Sequence, residues 1–343
     1  MRTNVKLGST DIVVNKNGFG ALPIQRISTD DAVYLLRKAF ENGINYFDTA
    51  RAYSDSEHKC GIAFEGIREK LFLATKTGAQ TGEGLEKDLA KSLEELRTDY
   101  IDVYQFHNPS FVPMPDGNDG LYDAALAAKK AGKIKHIAIT NHKVTLAKQA
   151  AETGLFELIQ FPFCYLATQD EIDLVNLCKE KNIGFVAMKS LSGGLITNAR
   201  AAYAFAAEYD NVLPIWGVQR ESELDDFIGF IDNPPKMDEE IKALIEKDRT
   251  ELAGEFCRGC GYCMPCPAGI EINNAARMSL LLRRSPSAGH LSEKGQEMMM
   301  KIENCLHCNA CKSKCPYGLD TPTLLQKNLE DYKRVLAGEV KVQ

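Results

Sequence analysis

The stretch Leu71-Phe72-Leu73-Ala74-Thr75-Lys76-Thr77 is a short apolar run ending on a lysine, and Ile101-Asp102-Val103-Tyr104-Gln105-Phe106-His107 is another, ending on a histidine. Between them Leu85, Leu89, Leu93 and Leu96 follow one another at steps of 4, 4 and 3, which is one apolar face of a helix. Strand, helix, strand is the βα repeat of a parallel sheet. Outward from this unit, runs rich in β-branched and aromatic residues recur at 45–50, 134–140, 158–163, 184–190 and 213–218, with an earlier one at 19–24. From residue 45 on, their starts lie 24 to 33 residues apart, about one βα unit each. A helix over 30–42 follows the capping residues Ser28 and Thr29 and stops at Gly43; Gly132, Gly154 and Gly184 follow helices in the same way. Eight such units within about 230 residues predict a closed (β/α)8 barrel of the TIM type rather than a long open sheet. Residues 4–18 read as a hairpin ahead of it, Pro234-Pro235 marks the exit, and 237–252 reads as a helix. The expected organisation is a barrel over 1–235, a linking helix over 236–254 and a Cys-rich domain over 255–343 that ends in a helix.

Composition narrows the function. The 343 residues are 44% apolar and 26% charged, ordinary for a globular protein. Lys+Arg 41 against Asp+Glu 47 gives a net charge of -6, which speaks against a nucleic-acid partner and for a small molecule. No apolar run of about 18 residues appears, so no membrane span is expected. The opening Met1-Arg2-Thr3-Asn4-Val5-Lys6 leads into no apolar region, so no signal peptide is expected and the location predicted is cytoplasmic.

Cysteine divides the chain again. Of 11 cysteines, Cys60, Cys164 and Cys178 are scattered and read as plain thiols, while eight fall between 257 and 315. A chain without a signal peptide is not expected to carry four disulfides, so the clustered eight read as metal ligands. Cys257, Cys260, Cys263 and Cys266-Pro267 stand three apart; Cys305, Cys308, Cys311 and Cys315-Pro316 match the spacing of bacterial two-cluster ferredoxins. The first group is one residue shorter before its last cysteine. Zinc sites favour two separated pairs, so two [4Fe–4S] clusters in a small α-rich ferredoxin-like domain are expected. In such folds the fourth cysteine ligates the other cluster, giving the sets Cys257, Cys260, Cys263, Cys315 and Cys305, Cys308, Cys311, Cys266. Met298-Met299-Met300 reads as core packing and Arg283-Arg284 as a solvated face.

In a (β/α)8 barrel the reactive groups sit where strands end. Asp48, Lys76 and His107 close three successive strands, and Tyr53 lies five residues beyond Asp48. A buried lysine needs a carboxylate partner, and Asp48 is adjacent. An ammonium beside a phenol is expected to lower the phenol's pKa, so Tyr53 could exchange a proton with a carbonyl or alcohol oxygen that His107 orients. The set suits reduction of C=O by a hydride donor and offers no strong nucleophile for acyl or phosphoryl transfer.

Tyr46-Phe47-Asp48-Thr49-Ala50-x-x-Tyr53, Ala74-Thr75-Lys76 and Gln105-Phe106-His107 together resemble the aldo-keto reductase pattern over about residues 5–232. The resemblance implies a barrel of that family's type that reduces carbonyls, or oxidises alcohols, with NAD(H) or NADP(H). In it Tyr53 is the general acid, Asp48 and Lys76 tune it and His107 orients the carbonyl. Retention of His107 rather than a glutamate speaks for C=O over C=C. It further implies that Thr140-Asn141 and Gln160 hold the carboxamide and that Met188 stands where many members stack a tyrosine on the nicotinamide. Lys189, Leu191 and Gly193 would meet the pyrophosphate, with Gly20, Gly217 and Arg220 also near the cofactor. Glu223 falls where the family carries a basic residue for the 2′-phosphate, which favours NADH. The alternative is an iron–sulfur electron-transfer protein with an external redox partner, its barrel a nucleotide-binding or docking body; a third possibility is that the clusters are structural.

Overall fold

Each expected apolar run overlaps a strand, although the first expected strand, 19–24, is realised only as Gly18–Gly20, with Pro23–Arg26 in a 3-10 turn. In the computed structural model, which describes residues 4–252, 256–284 and 287–342, the chain opens with β1 (Asn4–Lys6) and β2 (Val13–Asn15), an antiparallel hairpin with Val5 opposite Val14. Eight parallel strands then close a barrel: β3 (Gly18–Gly20), β4 (Tyr46–Asp48), β5 (Phe72–Thr77), β6 (Ile101–His107), β7 (Ile134–Thr140), β8 (Leu158–Pro162), β9 (Gly184–Met188) and β10 (Val212–Gly217). The circle closes where β10 pairs with β3, Trp216 opposite Phe19. Helices alternate with the strands: α1 (Thr29–Glu41), α2 (Ser56–Phe64), α3 (Gly82–Glu95), α4 (Leu121–Lys130), α5 (Val144–Thr153), α6 (Gln169–Glu180), α7 (Ala199–Ala207) and α8 (Glu221–Asp232), followed by α9 (Glu239–Glu251). The capping signals work as read: Ser28 Oγ accepts from the Asp31 N–H at 3.1 Å, and Thr81 Oγ1 from Gly84 at 3.2 Å. Leu85, Leu89 and Leu96 are buried, each such side chain worth about 1.5–3 kcal/mol.

Side chains alternate along a strand, so every second residue enters the barrel. At the N-terminal end these are Tyr46, Ala74, Val103, Ala138, Leu158, Val186, Leu213 and Ile215, forming one buried cluster with Val5, Leu7, Ile12 and Val14 of the hairpin. The hairpin is therefore a plug. It approaches closely: a Cβ on Gly8, which has φ +56°, would come within 2.4 Å of the Gly184 nitrogen, so no other residue fits there. Two residues further along the same strands the inward face becomes polar, with Asp48, Lys76, Gln105, Thr140 and Gln160 all buried.

The chain divides into two compact units, and not in simple chain order. The first comprises Met1–Ser190 and Ala199–Lys242; the second comprises Leu191–Asn198 and Ala243–Gln343. The split falls inside α9 rather than at 235, and the boundary expected at 254–255 lies outside the described residues. The second unit is helical, with α10 (Ile272–Ala275), α11 (Met278–Arg284), α12 (Glu293–Met300), α13 (Ala310–Ser313) and α14 (Thr321–Leu336). Met278, Leu282, Met299, Ile302 and Tyr332 form its core. Asn328 pins the α10–α11 turn to α14, accepting from Ser279 N–H at 2.8 Å and donating to the Ala276 carbonyl at 3.2 Å. Of the pair Arg283-Arg284, expected on a solvated face, Arg283 is exposed while Arg284 is largely covered. Arg283 makes a bidentate pair with Asp331, and Arg284 binds Glu251 at 2.7 Å and the Leu195 carbonyl at 2.7 Å.

Candidate active site and cluster ligands

The four polar strand-end residues come together at the C-terminal end of the barrel. Lys76 Nζ donates to Asp48 Oδ2 at 2.5 Å and to the Thr49 carbonyl at 2.6 Å. It stands 5.1 Å from the centre of the Tyr53 ring, and the Tyr53 and His107 rings meet edge-on at 5.8 Å. Two further donors reach Asp48: Gln105 Nε2 to Oδ1 at 2.9 Å, and Gln160 Nε2 to Oδ2 at 3.3 Å.

The loop carrying Tyr53 is held from behind. Arg51 N–H donates to the Lys76 carbonyl at 3.0 Å, and Ser56 N–H to the Tyr53 carbonyl at 2.8 Å. Buried Glu57, in the first turn of α2, pairs with Arg51 and accepts from Thr75 Oγ1 at 2.6 Å and Ser92 Oγ at 2.8 Å. One carboxylate thus ties the Tyr53 loop to the strand of Lys76 and to α3. Arg51, Glu57 and Gln105 had no assigned role in the sequence reading. Gln105 carried a usable signal, since it shares the inward parity of Val103 and His107.

Electrostatics corrects one expectation. Tyr53 is not drawn down by Lys76: burial, and then the charge of Asp48, hold its phenol above the ordinary value of 10. The ammonium of Lys76 is directed to Asp48 and Thr49, and burial lowers its own pKa against the pull of Asp48. His107 is pushed down to about 3 by burial and the nearby Lys76 charge. The site therefore presents a protonated phenol and a neutral imidazole.

The residues expected at the nicotinamide are a mixed set. Gln160 Oε1 is buried and has no hydrogen-bond partner among the described residues, a vacancy that fits the N–H of a carboxamide. Thr140 Oγ1 accepts from Asn108 N–H at 3.1 Å. Asn141 donates to the Pro109 carbonyl at 3.0 Å and accepts from Lys143 N–H at 2.8 Å, which leaves one donor and one acceptor position on its amide. Half-buried Met188 packs on the apolar cluster inside the barrel. A Cβ on Gly20 would lie 3.3 Å from the Trp216 carbonyl, and one on Gly217 3.1 Å from Pro23, so both glycines already serve contacts within the barrel. Lys189 has φ +55°. Leu191 and Gly193 belong to the second unit, where Arg277 Nη1 donates to the Gly193 carbonyl at 2.8 Å. Gly193 has φ +66°, a left-handed conformation that favours glycine, and a Cβ there would come within 2.7 Å of the end of the Arg277 side chain. Arg220 pairs with Glu223 at 2.9 Å, and the same carboxylate accepts from the N–H of Gln219 and Arg220 at the start of α8.

The two cysteine loops repeat one backbone. The residues on either side of the middle cysteine take positive φ in both: Gly259 (+63°) and Gly261 (+83°) around Cys260, His307 (+49°) and Asn309 (+57°) around Cys308. Cys266, Cys305, Cys308 and Cys311, with Cys263, line a small cavity walled by Pro265, Pro267, Ile270 and Leu325. Burial raises the Cys257 thiol, the Gly259 N–H lowers it, and Cys260 and Cys315 are near enough to raise it further. Soft thiols around an apolar-walled cavity are a donor set that fits iron–sulfur clusters.

A polar tetrad in the mouth of a (β/α)8 barrel, followed by a thiol-lined helical unit, defines the class. The Aldo/keto reductase family matches residues 16–202, and a 4Fe-4S dicluster domain matches residues 256–320, which include all eight clustered cysteines. L-galactose dehydrogenase of Arabidopsis thaliana is 30% identical over 211 residues, 56% of this chain and 66% of that protein. The NADH-specific methylglyoxal reductase of Escherichia coli (strain K12) is 26% identical over 230 residues, 56% and 68% of the two chains. The match thus spans just under two thirds of the first relative's length. An aldo-keto reductase from Klebsiella pneumoniae, solved in complex with NADPH, superposes with a TM-score of 0.62 at 20% identity, covering 72% of this chain and 95% of that one, a likeness of fold. This chain belongs to the aldo/keto reductase family and carries a 4Fe-4S dicluster domain after the barrel. No helix among the described residues is long and apolar enough to cross a membrane.

A histidine held neutral makes stability depend on pH. The folded value of about 3 lies below the ordinary 6.5, so between the two the unfolded chain binds more protons and folding weakens as pH falls. Thermal unfolding of the wild type should drop more steeply over this window than that of His107→Gln; parallel curves would show that His107 is not held neutral.

Proposed function

We propose that this chain reduces a small carbonyl compound with a nicotinamide cofactor. The reading rests on the convergence of Asp48, Tyr53, Lys76 and His107, with the phenol held protonated and the imidazole neutral. His107 donates a hydrogen bond to the carbonyl oxygen, and Tyr53 gives that oxygen a proton as charge develops on it. Asp48 holds Lys76 beneath Tyr53, where the ammonium stabilises the phenolate left behind. Nicotinamide, when bound, supplies the hydride. Its carboxamide would be held by Gln160, Thr140 and Asn141, with Met188 packed against the ring. Lys189, Leu191 and Gly193 would face the pyrophosphate, Gly20 and Gly217 would admit the cofactor, and Arg220 would lie towards the ribose. The phenol is protonated in the resting site, which is the form a general acid needs. The relatives whose names include methylglyoxal reductase make a small aldehyde the first substrate to try. Tyr53→Phe keeps the ring and removes the proton, so kcat should fall at least about a hundredfold with nicotinamide binding intact. Near wild-type turnover by that variant would remove Tyr53 from its role.

The proposed preference is NADH. Glu223 engages Arg220, so a 2′-phosphate would have to take Arg220 from a carboxylate that also repels it. Glu223→Gln should therefore strengthen NADPH binding relative to NADH by about tenfold, read from the two dissociation constants. A wild type that already prefers NADPH overturns this assignment.

For the second unit we propose two [4Fe–4S] clusters, on Cys257, Cys260, Cys263, Cys315 and on Cys305, Cys308, Cys311, Cys266. Such clusters, when bound, supply one-electron transfer. Nicotinamide delivers two electrons at once, and clusters of the ferredoxin type commonly have potentials near about -400 mV, which makes NADH a weak donor to them. The clusters would then stabilise their unit or serve an external one-electron partner. Anaerobic protein should hold about eight iron atoms and keep its visible absorbance when excess NADH is added without flavin. Rapid bleaching would instead favour the electron-transfer reading.

A further inference from the structure

Gln105 sits in the interior layer one strand beyond Lys76, to which it is directly opposite in register. Its amide reaches back across β5 to Asp48 on β4, whose partner in register on β5 is the small Ala74. An ionised carboxylate can only accept, so the atom facing Asp48 Oδ1 at 2.9 Å is the amide nitrogen. That bond occupies the one oxygen of Asp48 that Lys76 does not use. Two of the three N–H groups of Lys76 are committed, to Asp48 Oδ2 and the Thr49 carbonyl, on the side of the ammonium that faces Asp48. The Tyr53 ring is 5.1 Å away. Were Oδ1 left bare in this buried site, the carboxylate would turn to offer both oxygens to Lys76, since an unsatisfied buried acceptor is costly. The ammonium would then be drawn from Tyr53 towards Asp48.

We propose that Gln105 is a positioning residue: by holding Asp48 Oδ1, it fixes the carboxylate so that Lys76 stays beneath Tyr53. The proposal rests on the carbonyl-reduction reading for its kinetic consequence, and on the hydrogen-bond geometry alone for its spectroscopic one.

The test compares wild type, Gln105→Leu and Gln105→Glu in the full-length protein from about pH 5 to about pH 9. Gln105→Leu should lower kcat about tenfold while KM for the nicotinamide stays close to wild type. Gln105→Glu donates to Asp48 only when its new carboxyl is protonated, so its kcat should approach wild type at low pH and decline as pH rises, a limb that wild type and Gln105→Leu lack. Unchanged kcat in Gln105→Leu, or a flat profile in Gln105→Glu, overturns the role. If Gln105→Leu does not fold, Gln105→Met takes its place. A second measurement needs no substrate: the 15N resonance of the Lys76 ammonium, assigned by its loss in Lys76→Met. It should move in the leucine variant and return in the glutamate variant at low pH; a resonance unmoved in both overturns the positioning role outright. A wild type that turns over no carbonyl, with the resonance moving as described, would count against the reaction and for the positioning role.

Discussion

Everything at the mouth of this barrel depends on keeping a carboxylate and an ammonium out of water. Asp48 and Lys76 are 2% and 1% exposed. Burying such ions costs several kcal/mol each even after relaxation, and attraction offsets this only when their remaining hydrogen-bonding positions are filled. Both oxygens of Asp48 are filled here from around the circle: Lys76 comes from the neighbouring strand, Gln105 from the next, and Gln160 from β8 on the far side of the barrel. An open sheet could not bring β8 to face β4. The closed barrel is thus a condition of the ion pair, and the hairpin plug sealing its other end shares in keeping the pair dry.

The same burial sets the charge states around the pair. Lys76, turned to Asp48, raises the cost of a second cation nearby, so His107 stays neutral. Asp48 raises the cost of a second anion, so Tyr53 stays protonated. The lysine's effect on Tyr53 is then one of readiness. It does not ionise the phenol in the resting site, but it is in place to stabilise the charge that appears when the proton leaves.

The fold was legible because both its periods are local. The two-residue alternation of β6, with Val103, Gln105 and His107 on one side, and the leucine spacing of α3 can be read without knowing what lies across the barrel. The tetrad was legible because strand ends are marked by a change from apolar to ionisable residues. What could not be read is what spans strands or folds back. The reach of Gln105 across β5 to Asp48 depends on register, and the burial of Glu57 depends on where α2 docks. The pKa of Tyr53 depends on which way Lys76 turns, a matter of distances that the order of residues does not contain. That the Gly193 carbonyl is held by Arg277, 84 positions later, could not be read either.

That last contact changes how the second unit is understood. Gly259, beside Cys260, and Gly193 press on the same guanidinium: a Cβ on either would come within 2.7 Å of Arg277. The charge of Arg277 is also felt by the Cys257 thiol. One arginine therefore joins the first cysteine loop to the segment Leu191–Asn198, and Arg284 holds the same segment at Leu195. That segment lies in the chain between β9 and α7, so the unit bearing the cysteines includes a piece of polypeptide threaded out of the barrel's own sequence. A chain cut at 235 would leave the carbonyls of Gly193 and Leu195 without their arginines. The cysteine unit is thus built partly from sequence that lies between two elements of the barrel.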